Sequence, residues 1–262
     1  MKSKSNALKV AIDLFLEQMG WTLWFLGILL IIHVVRIFNS IYAGKDLEHF
    51  FLSSYYAADI YMLVIGIIIG YGFYPFFVKH GVTRKDVFRG GVLAAGLLSA
   101  AIVLTAAVIT AAEYSVVNIA NLPLHLNSTL EFTEGVDDDV IGNLVLLIVL
   151  GPLVDFSSHG LLSLFVYMTN IFTSYVIGWF ISAVFYRYGW TMGLGSIVLA
   201  TLFFLIRGLV WGGDVARELA ADWVPPAILE LPLYGSVAGT IVLIGGILWL
   251  IRLLTQRVTI KL

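Results

Sequence analysis

Long apolar runs separated by short polar intervals dominate this 262-residue chain. Six runs have about the twenty residues that a helix needs to cross roughly 30 Å of hydrocarbon. Apolar and polar positions do not alternate strictly within them, so the strand pattern of a membrane β-barrel is excluded. The pattern predicts an all-α polytopic membrane protein with one transmembrane domain, residues 1–262. The predicted spans are about 21–42, 55–77, 91–112, 160–186, 190–211 and 233–250.

Aromatic residues mark the ends of these runs. Their amphipathic rings prefer the level of the lipid headgroups, so they fix the predicted boundaries. The residues are Trp21, Tyr42, Tyr55, Tyr74, Tyr186, Trp190, Trp211, Tyr234 and Trp249.

Residues 1–20 precede the first span and carry a helical pattern of their own. Leu8, Ala11, Phe15 and Met19 recur at helical spacing, with charged residues on another face. We predict a short amphipathic helix in the cytosolic interface, followed by a first span that is retained in the protein. A helix that simply continues the first span is the alternative.

Residues 140–156 do not fit the six-span scheme. The segment is apolar, contains Gly142, Gly151 and Pro152, and is too short for a comfortable crossing. We predict a re-entrant or surface segment between the third and fourth spans, within an outer loop of residues 113–159. A bent extension of the fourth span is the other interpretation.

The distribution of charge predicts the orientation. Hydrophobic residues make up 60% of the chain, charged residues only 12%, and the mean hydropathy is +0.96. Eleven of the fifteen basic residues fall on one side of the six-span scheme, together with both termini and the loop at residues 78–90. The positive-inside rule therefore predicts that both termini are cytosolic.

Most motifs that carry chemistry are missing from the sequence. The Gly44-Lys45 pair is followed by Asp46 and lacks the upstream glycine of a phosphate-binding loop. Ser196 follows two glycines but has no histidine in a later span to activate it, so we expect helix packing there rather than catalysis. The five histidines have no ligand spacing, and we assign no metal, no nucleic-acid binding and no catalytic residue.

Ionisable residues inside predicted spans are more informative, because charge is costly in hydrocarbon. Arg36, Asp59 and Arg207 all lie toward the predicted outer side. Asp59 has the charge to pair with either arginine, which would give a polar outer vestibule for a substrate. Snorkelling of the three side chains to the headgroups is the alternative. An acidic run at residues 131–139 is interpreted as a solvated loop.

The segment Lys79–Arg89 is the most basic run and carries a helix-start signal. His80-Gly81 ends the second span, and Thr83 with Asp86 three residues later has the pattern of a helix cap. We predict a short amphipathic helix at the membrane surface, with Val87 and Phe88 available as an apolar contact. An ordinary basic loop that fixes topology and holds anionic lipid is the alternative.

The order of these elements, with Gly81-Val82-Thr83-Arg84-Lys85-Asp86-Val87-Phe88 between the second and third spans, resembles the permease subunits of bacterial ABC-2-type (ABCG-like exporter) ABC transporters. The resemblance implies a multi-pass plasma-membrane protein whose coupling helix docks on a separate ATPase subunit that binds ATP and magnesium. It also implies a dimer with a second permease copy or a paralogue. The implied coupling residues are Thr83, Arg84, Lys85, Asp86, Val87, Phe88 and Arg89, with Gly90 and Gly91 as a hinge. In that family the outer re-entrant elements lie between the fifth and sixth spans, whereas residues 140–156 lie between the third and fourth.

These observations together predict a non-catalytic permease subunit of an ATP-driven exporter for an amphipathic substrate such as a peptide, an antibiotic or a lipid-like molecule. Two alternatives come from other classes. The first is a stand-alone secondary transporter or channel, which would have broken helices and paired charges within its spans. The second is a membrane scaffold or immunity protein that transports nothing.

Overall fold

Helices formed by the long apolar runs build the fold. The computed structural model describes residues 6–44, 46–120, 126–127, 160–211, 216, 225 and 231–256. Six helical segments are long and apolar enough to cross a membrane, which confirms the prediction of six helices. In chain order the helices are α1 (Ala7–Ala43), α2 (Phe50–Ile68), α3 (Tyr74–Lys79), α4 (Arg84–Ile119), α5 (Gly160–Tyr188), α6 (Trp190–Val210) and α7 (Leu233–Thr255).

A short strand pair is the one departure from an all-α architecture among the described residues. Strand β1 (Leu47–Glu48) pairs in parallel with β2 (Leu126–Asn127). The pair joins the connection after α1 to the region after α4. Most of the predicted outer loop, including residues 140–156 and the acidic run at 131–139, lies outside the described residues.

Helix α1 is a single helix of 37 residues, so the predicted separate N-terminal helix followed by a span is wrong. The alternative of a continuous first helix holds. Its buried stripe includes Val10, Leu14, Gln18 and Thr22, at spacings of four residues, and α1 packs extensively on α4. Leu8, which the sequence placed on the apolar face, is 65% exposed. Ala11 is fully buried, and Phe15 and Met19 pack partly buried against the core. Three of the four predicted apolar positions therefore face the bundle, and Leu8 does not.

The second span is one helical rod with an interruption. A π-helical turn, Ile69–Phe73, connects α2 to α3, and the Tyr74 N–H donates to the carbonyl of Ile69, five residues back. Pro75 follows immediately; it has no N–H, and its ring clashes with the carbonyl four residues earlier in a regular helix. The wider turn accommodates the proline without ending the span.

Close packing of α2 on α5 forms the centre of the bundle. A Cβ at Gly66 would lie 2.8 Å from the carbonyl carbon of Tyr175, and one at Gly178 would lie 3.0 Å from the backbone nitrogen of Ile67. The two glycines therefore let the backbones touch. Trp179, next to Gly178, is the largest fully buried side chain among the described residues.

Large apolar side chains cover the outside of the bundle, most heavily on the peripheral helices α1 and α7. Trp24 and Ile31 on α1 are 77% and 67% exposed, and Val242 on α7 is 74% exposed. A membrane would solvate such faces with lipid. The exposed surface thus agrees with helices that span a bilayer.

Candidate functional site

The segment Lys79–Arg89, here called the basic turn, connects α3 to α4. Gly81 has a φ of +83°, the left-handed conformation that glycine adopts without strain. The Gly81 N–H donates to the carbonyl of Val78 and the Val82 N–H to that of Phe77, which together form a Schellman motif that ends α3. The glycine therefore has a defined structural role at the end of this span.

Thr83 caps the start of α4. Its hydroxyl oxygen accepts a hydrogen bond from the Asp86 N–H at 3.1 Å and donates to the Asp86 carboxylate at 2.9 Å. The carboxylate also lies in the first turn, where it interacts favourably with the helix dipole. The predicted cap is thus present, but it begins the 36-residue helix α4 and not a separate short helix.

The side chains of the basic turn divide into an apolar set that packs on the bundle and an exposed basic set. Val87 is fully buried, whereas Phe88 is partly buried, with its ring centre 5.6 Å from that of Trp179. Val87 is thus not available as the apolar contact that the sequence predicts, and Phe88 remains partly exposed. The exposed basic side chains are Lys79, His80, Lys85 and Arg89.

Gly90 and Gly91 follow the basic turn inside continuous helix. A Cβ at Gly90 would lie 2.7 Å from the Cγ1 of Val10, and one at Gly91 would lie 2.7 Å from the Cη2 of Trp179. Close packing accounts for glycine at both positions. The hinge role implied by the resemblance remains a prediction.

The last carbonyls of α7 have no partner within the helix. They accept hydrogen bonds from the start of α3, from the basic turn and from α5. The Tyr74 hydroxyl donates to Thr255 at 2.7 Å, and Arg84 donates to Gln256 at 2.8 Å. Two further carbonyls accept from Arg187: Leu253 at 2.9 Å and Leu254 at 3.0 Å. We call Tyr74, Arg84 and Arg187 the α7 clasp. Its two arginines also place positive charge at the negative end of the helix dipole.

A second polar site lies inside the bundle, where Asp59 of α2 meets Arg207 of α6. The Arg207 Nη2 donates to the Asp59 Oδ2 at 3.1 Å and its Nη1 to Oδ1 at 3.4 Å, and both side chains are 1% exposed. Ser174 and Asn170 of α5 also donate to Oδ1 of Asp59. The ion pair is therefore bidentate and surrounded by further donors. It accords with the pairing that the sequence left open for Asp59.

Arg36 lies apart from this pair. Its Nη2 is 3.4 Å from the Glu48 carboxylate, and its Nη1 donates to the Ser53 hydroxyl at 3.1 Å. The Arg36 side chain is 45% exposed. The structure thus does not bring Arg36, Asp59 and Arg207 together, and the predicted three-residue vestibule is not present as one site.

A buried His–Glu contact near the same end of the bundle was not predicted. The His33 Nε2 lies 2.9 Å from Oε1 of Glu113, and Oε2 of Glu113 accepts from the Phe50 N–H at 2.9 Å. Helical spacing in the sequence could have indicated this contact. Glu113 follows Thr110 by three residues and Ala106 by seven, so it lies on the same buried face of α4. The predicted span ended at residue 112, one position before this glutamate.

Comparison of the chain with protein-family models, with curated proteins and with solved structures finds no match. The six apolar helices define a multi-pass helical membrane protein. The basic turn and the α7 clasp lie at one end of the bundle, and the buried Asp59–Arg207 and His33–Glu113 contacts lie toward the other.

Proposed function

We propose that this chain is the membrane-spanning permease subunit of an ATP-driven exporter, and that a separate ABC ATPase docks at the basic turn. The observation that carries the proposal is the exposed, capped basic turn, which is tied to the ends of three spans. The resemblance of Gly81–Phe88 to coupling segments of ABC-2-type permeases supports the same assignment. The positive-inside rule supports a cytosolic position for the turn.

The docking surface is basic on this proposal. Lys79 and Lys85 are exposed and would face acidic groups on the ATPase, while Val87 and Phe88 hold the turn against the bundle. Complementary charge of this kind accelerates and orients association. The apolar side chains thus transmit movement, and the basic side chains bind the partner.

Movement of the turn would reach several spans at once. Helix α4 is continuous from Arg84 to Ile119, so a displacement at its first turn tilts the whole helix. Through the α7 clasp the same displacement moves the end of α7, and Arg187 connects that end to α5. A small motion of an ATPase is in this way converted into rearrangement of packed helices.

The proposal extends to the class of substrate. The peripheral helices expose broad apolar faces, which suit lateral entry of an amphipathic peptide, antibiotic or lipid-like molecule from the bilayer. A second copy of the chain or a paralogue would complete the translocation path between two permeases. ATP and magnesium would be bound by the ATPase.

The decisive test is co-purification of an ATPase from the native host in mild detergent. We expect an ABC ATPase at about one copy per permease, and loss of it in a Lys79→Glu/Lys85→Glu variant because two exposed positive charges are reversed. Lys9→Glu is the matched control, since it changes an exposed lysine of α1. Membrane insertion should be normal in both variants. A charge-reversed turn that still retains the ATPase would contradict docking at this surface.

A stand-alone secondary transporter is the second candidate, and a specific observation favours it. The Asp59–Arg207 pair is a buried charge pair within the spans, and the second span is interrupted by a π turn. Both features are used by transporters that couple ion and substrate movement. Uptake by proteoliposomes under a proton or sodium gradient with no ATPase present, abolished by Asp59→Asn, would select this candidate over the exporter.

A further inference from the structure

A groove of about 580 Å³ lies between the first turns of α4 and the last turns of α7. Val92 and Leu93 of α4 and Leu248 and Trp249 of α7 form its apolar wall. Arg89 and Arg252 provide the only charges among the described residues that line it. The groove is thus apolar along its length and positively charged at one end.

The two arginines occupy equivalent levels on antiparallel helices. On α4 the apolar lining follows Arg89 by three and four residues, and on α7 it precedes Arg252 by three and four. One helical turn rises about 5.4 Å, so on both helices the apolar wall begins one turn deeper in the bundle than the charge. This is the order of a phospholipid, with its phosphate at the surface and its acyl chains below.

The position of Arg252 is fixed by the bundle. Its guanidinium lies 5.6 Å from the centre of the Phe88 ring, and its Nη1 is 3.4 Å from the carbonyl oxygen of Arg84. A guanidinium has five N–H donors, so most remain for a ligand. Neither Arg89 nor Arg252 is in an ion pair within the part of the chain that the structure describes.

We infer that this groove binds an anionic phospholipid, with its headgroup at Arg89 and Arg252 and an acyl chain along Leu93, Leu248 and Trp249. A soluble anion would leave the apolar wall unused, and a zwitterionic lipid would bring no net negative charge to the two arginines. Charge complementarity and the order of charge and apolar surface therefore select the same ligand. The inference does not depend on the proposed transport function.

The test uses fluorescence quenching of Trp249 by brominated acyl chains. The full-length protein is placed in phosphatidylcholine nanodiscs that contain a fraction of brominated phosphatidylglycerol or of brominated phosphatidylcholine. The Trp249 contribution is the difference between the wild type and Trp249→Phe, because the chain has seven tryptophans. We expect phosphatidylglycerol to quench this contribution at a lower mole fraction than phosphatidylcholine. Equal quenching by the two lipids would overturn the inference.

Substitutions of Arg89 and Arg252 test whether these two residues bind the headgroup. A basic residue near a membrane surface changes anionic-lipid binding by roughly fivefold, so Arg89→Gln and Arg252→Gln should each lower the preference by about that factor. Arg89→Lys keeps the charge and should keep the preference, and Arg36→Gln is the control at the opposite end of the bundle. Arg89 is exposed, so the Arg89 variants are informative even if Arg252→Gln disturbs folding. A preference that survives Arg89→Gln unchanged contradicts the site.

A last experiment distinguishes binding of a phospholipid from binding of a soluble phosphate compound. Soluble sn-glycerol 3-phosphate carries the phosphate without acyl chains, and we expect millimolar concentrations to leave the quenching by brominated phosphatidylglycerol unchanged. Displacement of the lipid by this compound would show that the apolar wall contributes nothing, and the phospholipid assignment would fail.

Discussion

At the scale of single residues, Asp59 and Arg207 form an ion pair that would be very costly in the membrane if either side chain lacked its partner. Desolvation opposes burial of each charge, and the bidentate contact with the added donors of Ser174 and Asn170 offsets that cost. Both side chains are 1% exposed, so water cannot replace a lost partner. Packing of α2, α5 and α6 is therefore sensitive to the loss of one charge while the other remains buried.

Removing one charge should destabilise the bundle more than removing both. We expect Asp59→Asn or Arg207→Gln alone to lower the free energy of unfolding by about 3–5 kcal/mol, because the remaining charge is buried without its partner. The double variant should cost less than either single change, because no unpaired charge is left in the bundle. Equilibrium unfolding in mixed micelles measures all four proteins. Additive effects would mean that the two groups do not interact in solution.

The cap at Thr83 is a second residue-scale feature. Thr83→Ala removes the acceptor for the Asp86 N–H and should cost about 1 kcal/mol in the first turn of α4. Faster amide hydrogen exchange at residues 84–88 would report that loss. Thr83→Ser keeps the hydroxyl and is the matched control. Identical exchange in Thr83→Ala and the wild type would show that the cap does not stabilise this turn.

At the scale of elements, glycines determine how closely the central helices approach. At Gly66 and Gly178 the backbones of α2 and α5 are in contact, whereas a Cβ at Gly96 on α4 would have no neighbour within 4 Å. Close packing thus requires glycine at some helical positions and not at others. The same distinction applies to Gly90 and Gly91, which contact α1 and α5.

This difference gives a prediction about alanine substitutions. Gly66→Ala and Gly178→Ala should each destabilise the protein by about 1–3 kcal/mol or more, because the added methyl group meets backbone that cannot move aside. Gly96→Ala is the matched control and should be neutral or slightly stabilising, since alanine favours helix. Thermal unfolding in detergent, followed by circular dichroism, compares the three. Equal melting temperatures would contradict the close contact of α2 and α5.

At the scale of the whole molecule, orientation is determined by charge. Basic residues next to spans remain on the cytosolic side during insertion, and eleven of the fifteen fall on one side of the six-span scheme. The basic turn, the α7 clasp and the groove between α4 and α7 all lie at the end of the helices where these basic residues are found. The proposed ATPase contact and the proposed lipid site are therefore neighbours.

Reporter fusions test this orientation. Alkaline phosphatase joined after His80 or at the C-terminus should be inactive, because it stays in the cytosol, and phosphatase inserted after Asp138 should be active. Green fluorescent protein at the C-terminus should fluoresce. Active phosphatase at the C-terminus would show that the protein has the opposite orientation. The basic turn would then lie on the outer side, where a cytosolic ATPase cannot reach it.

Local signals in the sequence were enough for the helices and for the start of α4. Long apolar runs must satisfy their backbone hydrogen bonds internally in a membrane, so run length alone predicted six helices. The cap at Thr83 was predictable because its hydrogen bonds span only three residues. The distribution of Lys and Arg between the spans predicts the orientation, since that signal depends on composition alone.

Contacts between distant residues were decided only by the tertiary structure. Asp59 had two arginines available, and packing of α2 and α6 against α5 selected Arg207 while leaving Arg36 beside Glu48. Val87 faces the core because α4 packs on α1 and α5, although it lies in a segment rich in charged residues. The α7 clasp joins residues more than sixty positions apart, and the groove exists only where α4 and α7 come together. The sequence by itself determined which segments are helical and which side carries most of the basic residues, because those properties are local. The pairing of buried groups depended on helix packing, which no local pattern encodes.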